Sequence, residues 1–367
     1  MTKPWLIAYY LPQYHPIPEN DAWWGEGFTE WTNVKKAKPL FRDHQQPKVP
    51  GELGYYDLRY PEVREAQAEL ARKAGIEAFC YWHYWFGGKQ LLERPFNEVL
   101  DSGKPDFPFC LAWANQSWTG IWHGKPDDIL IEQTYPGVED HIAHFNSLLP
   151  AFRDRRYLRV DGKPVFFVFQ PVDLDQDWVD LWQTLTYNAG LERLFLVGIV
   201  NNEQQASQIR ELGFDACTIS RTSGRSLRLS KSRQLLSNLI GPKLAEDYYQ
   251  KILKEPFHVY DYDDILPYLD LSQPQPLDFY PCVMPGWDNT PRSGINGHVF
   301  LNPTPARFQQ HLHQAIERVS DYQPVHQIVI LKSWNEWAEG NYLEPDQTFG
   351  DAFLQVIRNE LDQWEQK

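Results

Sequence analysis

Ile328-Val329-Ile330-Leu331 runs directly into Lys332-Ser333-Trp334-Asn335-Glu336-Trp337-Ala338-Glu339-Gly340. The four apolar residues read as a buried strand. At its end stand two carboxylates three residues apart, interleaved with two tryptophans and stopped by a glycine. Acid–base chemistry on a sugar needs two carboxyls near one bond and an aromatic floor for the ring. A lone E-x-x-E is more often a solvated surface turn, so its surroundings decide what this one is.

Outward from this strand the same kind of apolar run recurs. Segments 5–11, 78–84, 107–113, 164–169, 194–200, 216–219 and 278–284 read as seven more strands. Helical patterns fall at 61–74, 91–100, 138–152, 177–189, 204–212 and 305–318, with a last one at 349–364. Pro61 at the start and Gly75 past the end punctuate the first of them. A polar, aromatic stretch without a clear helix runs from Pro12 to about Tyr60, and loops of that length in a compact domain are usually functional. Between about 220 and 276 lie a basic segment (Arg221 to Arg228, Lys231, Arg233), a helix at 245–253 and the acidic Tyr260-Asp261-Tyr262-Asp263-Asp264. The alternation resumes afterwards, so this reads as an insertion between strands six and seven. Eight strands alternating with helices predict an α/β chain folded as a single (β/α)8 TIM barrel over 1–367. The competing architecture is an open doubly wound sheet. No G-x-G-x-x-G follows the first strand, where a dinucleotide-binding version would carry it.

Composition narrows the function. Of 367 residues, 42% are hydrophobic and 23% charged, ordinary for a globular protein. The aromatic share of 15% is not, and many of these rings sit in polar company, as in Trp23-Trp24-Gly25-Glu26 and Trp287-Asp288-Asn289. Flat apolar faces beside amides and carboxylates suit carbohydrate. A net charge of −14 argues against nucleic acid. Cys80, Cys110, Cys217 and Cys282 are dispersed in separate strand-like runs, which fits buried free thiols and neither a zinc site nor a disulfide framework. No signal-peptide pattern opens the sequence and no apolar run is long enough to span a membrane, so a cytoplasmic location is the expectation.

In a barrel the C-terminal ends of the strands face one mouth. Those ends carry His15 after the first, His83 and Tyr84 after the second, and Trp113, Asn115 and Trp118 after the third. Gln170 follows the fourth, Asn201 the fifth, and Trp287, Asp288, Asn289 and Arg292 the seventh. Glu336 and Glu339 follow the eighth. Each alone has an ordinary structural reading: His83 as a packing histidine, Gln170 and Asn201 as loop hydrogen-bonders, Trp118 as a loop anchor. Their convergence is what those readings do not explain. With Trp31, Trp334 and Asn335 they form the expected substrate-binding set around a catalytic pair, Glu336 and Glu339, with Asp288 and Glu344 in reserve. The histidines show no H-x-H or H-E-x-x-H spacing, and no G-x-S-x-G or glycine-rich phosphate loop is present. Carboxylate chemistry without metal or cofactor is what remains.

Tyr9-Tyr10-Leu11-Pro12-Gln13-Tyr14-His15-Pro16, Glu19-Asn20-Asp21, and Trp23-Trp24-Gly25-Glu26-Gly27-Phe28-Thr29-Glu30-Trp31-Thr32-Asn33-Val34 are long enough to be specific. Together with Trp113-Ala114-Asn115, Pro285-Gly286-Trp287-Asp288-Asn289-Thr290 and the Trp334–Gly340 motif, they resemble the WbsX-type proteins. That family is often labelled glycosyltransferase and occurs among genes for bacterial O-antigen and other surface polysaccharides. It is similar, more distantly, to glycoside hydrolase family 99, the endo-α-mannosidases. The resemblance spans nearly the whole chain and implies a metal-free (β/α)8 barrel acting on an oligosaccharide or polysaccharide. It also implies roles: Glu336 deprotonates the sugar's own 2-hydroxyl to give a 1,2-anhydro intermediate, and Glu339 protonates the leaving oxygen and then activates water. Relatives commonly carry W-A-N-E and W-D-G where this chain has Trp113-Ala114-Asn115-Gln116 and Trp122-His123-Gly124. The loss of two acidic groups there implies altered substrate recognition with the glutamate pair intact. A nucleotide-sugar-dependent glycosyltransferase and a non-catalytic glycan-binding barrel are the alternatives.

Overall fold

The computed structural model describes residues 3–120, 125–219, 228–265 and 278–366. The eight expected strands are β1 (Trp5–Tyr10), β2 (Ala78–Phe86), β3 (Phe109–Trp113), β4 (Lys163–Val168), β5 (Phe195–Val200), β6 (Ala216–Ile219), β7 (Asp278–Tyr280, resuming at Cys282–Val283) and β8 (Ile328–Leu331). Each pairs in parallel with its neighbours in the chain. β8 also pairs with β1, Ile328 beside Trp5 and Leu331 beside Ala8, and so closes the sheet. The molecule is therefore the (β/α)8 barrel that the alternation predicts. β7 is broken at Pro281, whose ring nitrogen has no hydrogen for the ladder. Before the break, Asp278–Tyr280 pairs with β6. At and beyond it, the Pro281 and Val283 carbonyls accept from the Ile330 and Lys332 amides at 2.9 and 2.8 Å.

Successive strand residues point alternately into the barrel and out toward the helices. Tyr9 of β1 stacks on Trp82 of β2 (4.8 Å between centroids) and meets the edge of Phe167 of β4 (5.8 Å), which fills the interior. The next residue along β2, His83, instead faces outward, to His144 of the helix Val138–Arg153. Cys80 and Cys110 are register partners on adjacent strands, and all four cysteines are buried free thiols.

Differences from the sequence expectation lie in the connections. The stretch after β1 contains two seven-residue helices, Pro18–Trp24 and Glu30–Lys36. Both are too short to show an amphipathic period; their starts are set by Pro18 and by a cap in which the Thr29 amide donates to Thr32 Oγ1 at 3.3 Å. The helix expected at 91–100 begins at Arg94, because Leu91 belongs to a short strand, Lys89–Leu91, that folds back on β2. After β3, Trp118–Gly120 pairs antiparallel with Lys125–Ile131. The insertion after β6 holds more helix than expected: Lys231–Ile240, then Pro242–Asp247 continuing into a π-turn, Tyr248–Leu253. Among the described residues no helix is long and apolar enough to cross a membrane.

Candidate active site

The strand ends open onto a cavity of about 340 Å³ that contains Glu336 and Glu339. After β8 the chain makes a short antiparallel ribbon, Asn335–Glu336 against Asn341–Tyr342, around a single 3₁₀ turn, Trp337–Glu339. Residues three apart eclipse one another on such a turn, so the two carboxylates share a side. Trp337 lies on the other side, stacked on Tyr342 at 3.7 Å and donating from Nε1 to Glu344 Oε2 at 2.6 Å. Gly340 ends the turn at φ +58°, and a Cβ there would stand 2.9 Å from the Asp288 backbone nitrogen.

Arg292, in the short helix Thr290–Ser293, joins the pair. Its Nη2 reaches Glu336 Oε1 at 2.5 Å and its Nη1 reaches Glu339 Oε1 at 2.6 Å. Its Nε donates to Glu30 Oε2 at 3.1 Å. Glu30 is wholly buried and Arg292 nearly so. Burial alone would push the guanidinium down, but Glu30, Glu336 and Glu339 hold it well above its ordinary value. Burial pushes Glu336 well above the usual carboxylate range; Arg292 pulls it back, and Glu339 pushes it further up.

Two further layers support the pair. Asp288 accepts from His44 Nε2 (2.8 Å), Gln46 Nε2 (2.7 Å) and Thr290 Oγ1 (2.6 Å), while its amide donates to the Glu339 carbonyl at 2.6 Å. Burial works against its ionised form, but these hydrogen bonds and His44 keep its carboxyl below the usual range. Glu344 sits behind Trp337, where Gln67 Nε2 (2.6 Å) and Tyr56 Oη (2.9 Å) also donate to it. Burial nevertheless raises it to about 7. The two reserve carboxyls are thus supports of the turn.

Of the expected residues, the cavity brings together Tyr84, Trp118, Trp287, Arg292, Glu336 and Glu339. The others lie outside its wall. His15 is buried and bonded through Nδ1 to the Pro12 carbonyl at 2.9 Å. His83 and His144 share a hydrogen bond of 2.8 Å outside the barrel, and burial lowers His83 to about 3. Trp113 packs on the same His144 at 4.6 Å. Asn115 clamps both the amide and the carbonyl of Gln170, at 2.8 and 2.9 Å, so these two tie β3 to β4. The Asn201 amide is held by Gln205, and the Asn289 side chain accepts from the His298 amide. Asn335 is consumed by the backbone of Leu11, at 2.8 and 3.0 Å. Trp31 and Trp334 are buried packing residues, Trp31 donating to the Tyr56 carbonyl at 2.7 Å. The tryptophans flanking the glutamates therefore do not line the cavity; its aromatic wall is made by Trp24, Trp82, Tyr84, Trp118, Phe169 and Trp287.

Sequence reasoning missed Gln13, Trp82, Lys332 and Asn341 on the cavity wall, and Glu30 behind it. Alternation would have found Trp82, since Tyr84 two positions on faces inward. Gln116, one of the two departures from the family pattern, is on the wall; His123, the other, lies outside the described residues. Among the described residues no cluster of three or more His, Cys, Asp or Glu is arranged to hold a metal ion.

The fold is thus a closed (β/α)8 barrel with a cavity at the mouth of its strands. The chain belongs to the WbsX glycosyltransferase family, whose model matches residues 6–357. Two proteins of Xanthomonas campestris pv. campestris, strains B100 and ATCC 33913, each called "Uncharacterized protein WxcX", are 36% identical over 359 residues. The match takes in 97% of this chain and 49% of theirs, so the chain spans about half the length of these relatives. Among solved structures, the GH99 endo-α-mannosidase of Bacteroides thetaiotaomicron superposes with a TM-score of 0.58 at 16% identity, covering 100% of this chain and 98% of that one. A "Glycoside hydrolase-like protein" gives 0.57 at 15%, covering 98% and 94%.

Proposed function

We propose that this protein is a retaining, metal-independent enzyme that cleaves or transfers at α-linked sugars, with mannose-containing glycans among the candidates. The observation that carries the reading is the pair itself: Glu336 and Glu339 held side by side on one guanidinium, in a cavity walled by aromatic rings. Two amide residues, Gln13 and Asn341, are also on the wall.

In this reading Glu336 is the base toward the neighbouring sugar hydroxyl. Burial raises its basicity, which suits a weakly acidic proton, and the Arg292 ion pair opposes its protonation at rest. Glu339, the more exposed of the two, protonates the leaving oxygen and then activates water or an acceptor hydroxyl. Transfer from a nucleotide sugar would call for cations at a diphosphate, and of the two on the cavity wall, Arg292 and Lys332, the first is already engaged by three carboxylates. That favours glycosidase-type chemistry over the family's label. Four buried free cysteines suit a reducing, cytoplasmic setting, and a role in bacterial surface polysaccharide metabolism fits the family. The test is incubation with α-linked oligosaccharides and with nucleotide sugars, followed by NMR. Released sugar of retained anomeric configuration is expected. Nucleotide release only with an acceptor would turn the reading to transfer. Glycan binding without turnover, unchanged in Glu336→Gln and Glu339→Gln, would leave a binding barrel.

A further inference from the structure

Seven of the twelve exposed large apolar side chains among the described residues fall between Leu235 and Leu253, in the insertion after β6. Leu235 and Leu239, one turn apart on the helix Lys231–Ile240, are 72% and 77% exposed. Leu244 and Ile252 follow at 61% and 68%. These side chains are not the ones that fold the segment. Its inner face packs Leu236, Ala245, Tyr249 and Phe257 into a separate small cluster, capped by the Arg233 guanidinium 4.6 Å from the Tyr249 ring. The segment thus packs one set of apolar side chains and leaves another exposed, on helical elements that contact each other in turn. Singly scattered exposed apolar residues are ordinary, whereas a contiguous set marks an interaction surface.

The charge around this face says what it meets. The chain as a whole carries −14, yet residues 228–254 hold six basic side chains against two acidic ones. Both acids, Glu246 and Asp247, are paired with Lys243, and Asp247 also with Lys251. Arg228, Lys231, Lys243, Lys251 and Lys254 are all exposed. Leucine and isoleucine fringed by lysine and arginine suit a surface with an apolar interior and an anionic rim, which is an anionic lipid leaflet. A two-fold contact with a second copy would set this basic patch against itself. The segment is also attached on the mouth side of the barrel. The segment leads into Val259–Asp261, which pairs with Val299–Leu301, and the Phe300 amide donates to the carbonyl of Trp287 in the cavity wall at 2.8 Å.

We propose that the helical segment 231–253 is an in-plane membrane anchor that seats the mouth of the barrel against an anionic bilayer, without spanning it. The reading does not depend on which reaction the cavity performs. The experiment is co-sedimentation of the whole protein with vesicles of phosphatidylcholine alone and of phosphatidylcholine mixed with phosphatidylglycerol. Binding is expected to the mixed vesicles, weakening as salt is raised. Leu235→Ser, Leu239→Ser and Ile252→Ser should each lower partitioning about tenfold, and Lys231→Gln and Lys254→Gln about fivefold each. All five should keep the wild-type Tm, since these side chains are exposed. Absence of binding, or binding that the substitutions leave unchanged, overturns the proposal. So does a lowered Tm in the leucine variants, which would mean that the face is packed in the fold. A lipid-free dimer that Leu235→Ser and Leu239→Ser dissociate would assign the face to a second copy instead.

Discussion

Arg292 holds three carboxylates in a volume from which water is largely excluded. Arg292→Met would leave Glu30, Glu336 and Glu339 facing one another with no cation, and breaking a buried ion network from one side costs about 3–5 kcal/mol. Urea denaturation near neutral pH should show a loss of that order. The raised Glu336 has a kinetic consequence. A base works only when ionised, so kcat/KM is expected to fall on the acid side through a value well above the 4.5 of an ordinary glutamate. An acid limb at the ordinary value would remove Glu336 from that role. Glu344 makes a separate statement about stability. Its folded-state value of about 7 lies above its ordinary 4.5, so its contribution is complete below the unfolded value and lost as pH rises through the folded one. At about 1.4 kcal/mol per unit, the loss is about 3 kcal/mol. Glu344→Gln cannot ionise, so its unfolding free energy should gain about that much on wild type between acid and mildly alkaline pH.

The 3₁₀ turn that carries the pair depends on Gly340. A side chain there would need the left-handed conformation and would crowd the Asp288 backbone, which is itself bonded to the Glu339 carbonyl. Gly340→Ala is expected to cost about 1–2 kcal/mol in a thermal or urea melt and to lower turnover further by moving Glu339; unchanged turnover would mean that the turn tolerates the shift. At this scale the sequence was only partly legible. The strand runs could be seen because burial on both faces leaves an unbroken apolar signature. That same unbroken signature hid which residues point inward, so His83 and Trp113 were placed in the site while Trp82 was not. Asn115 and Asn335 lie in the right loops, but their amides bind backbone across strands, a pairing that only the closed sheet creates. The Glu30–Arg292 contact joins residues 262 positions apart, and no local pattern announces it.

For the molecule as a whole, eight apolar runs separated by helical segments were enough to give the barrel, because a sheet of that kind must bury both faces and a closed one leaves no edge. The same count puts the candidate site at the mouth that the strand ends share. Closure, however, is not equally strong all the way round. β7 is stitched to β6 only before Pro281 and to β8 only from Pro281 onward, whereas β2 pairs with β3 from Phe79 to His83 without interruption. The barrel therefore has a seam. Local openings start where few backbone bonds must break together, so in native-state hydrogen exchange the amides of β6 and β7 should exchange through a smaller opening than those of β1, β2 and β3. If the two groups exchange alike, the ring unfolds as one unit. Arg292, Asp288 and Trp287 hang from the loop that leaves the second half of β7, while Glu336 and Glu339 hang from β8. Both therefore sit on the stitched side of the gap, so an opening between β6 and β7 would leave the cation with its carboxylates, and the site is expected to persist on warming until the fold itself is lost.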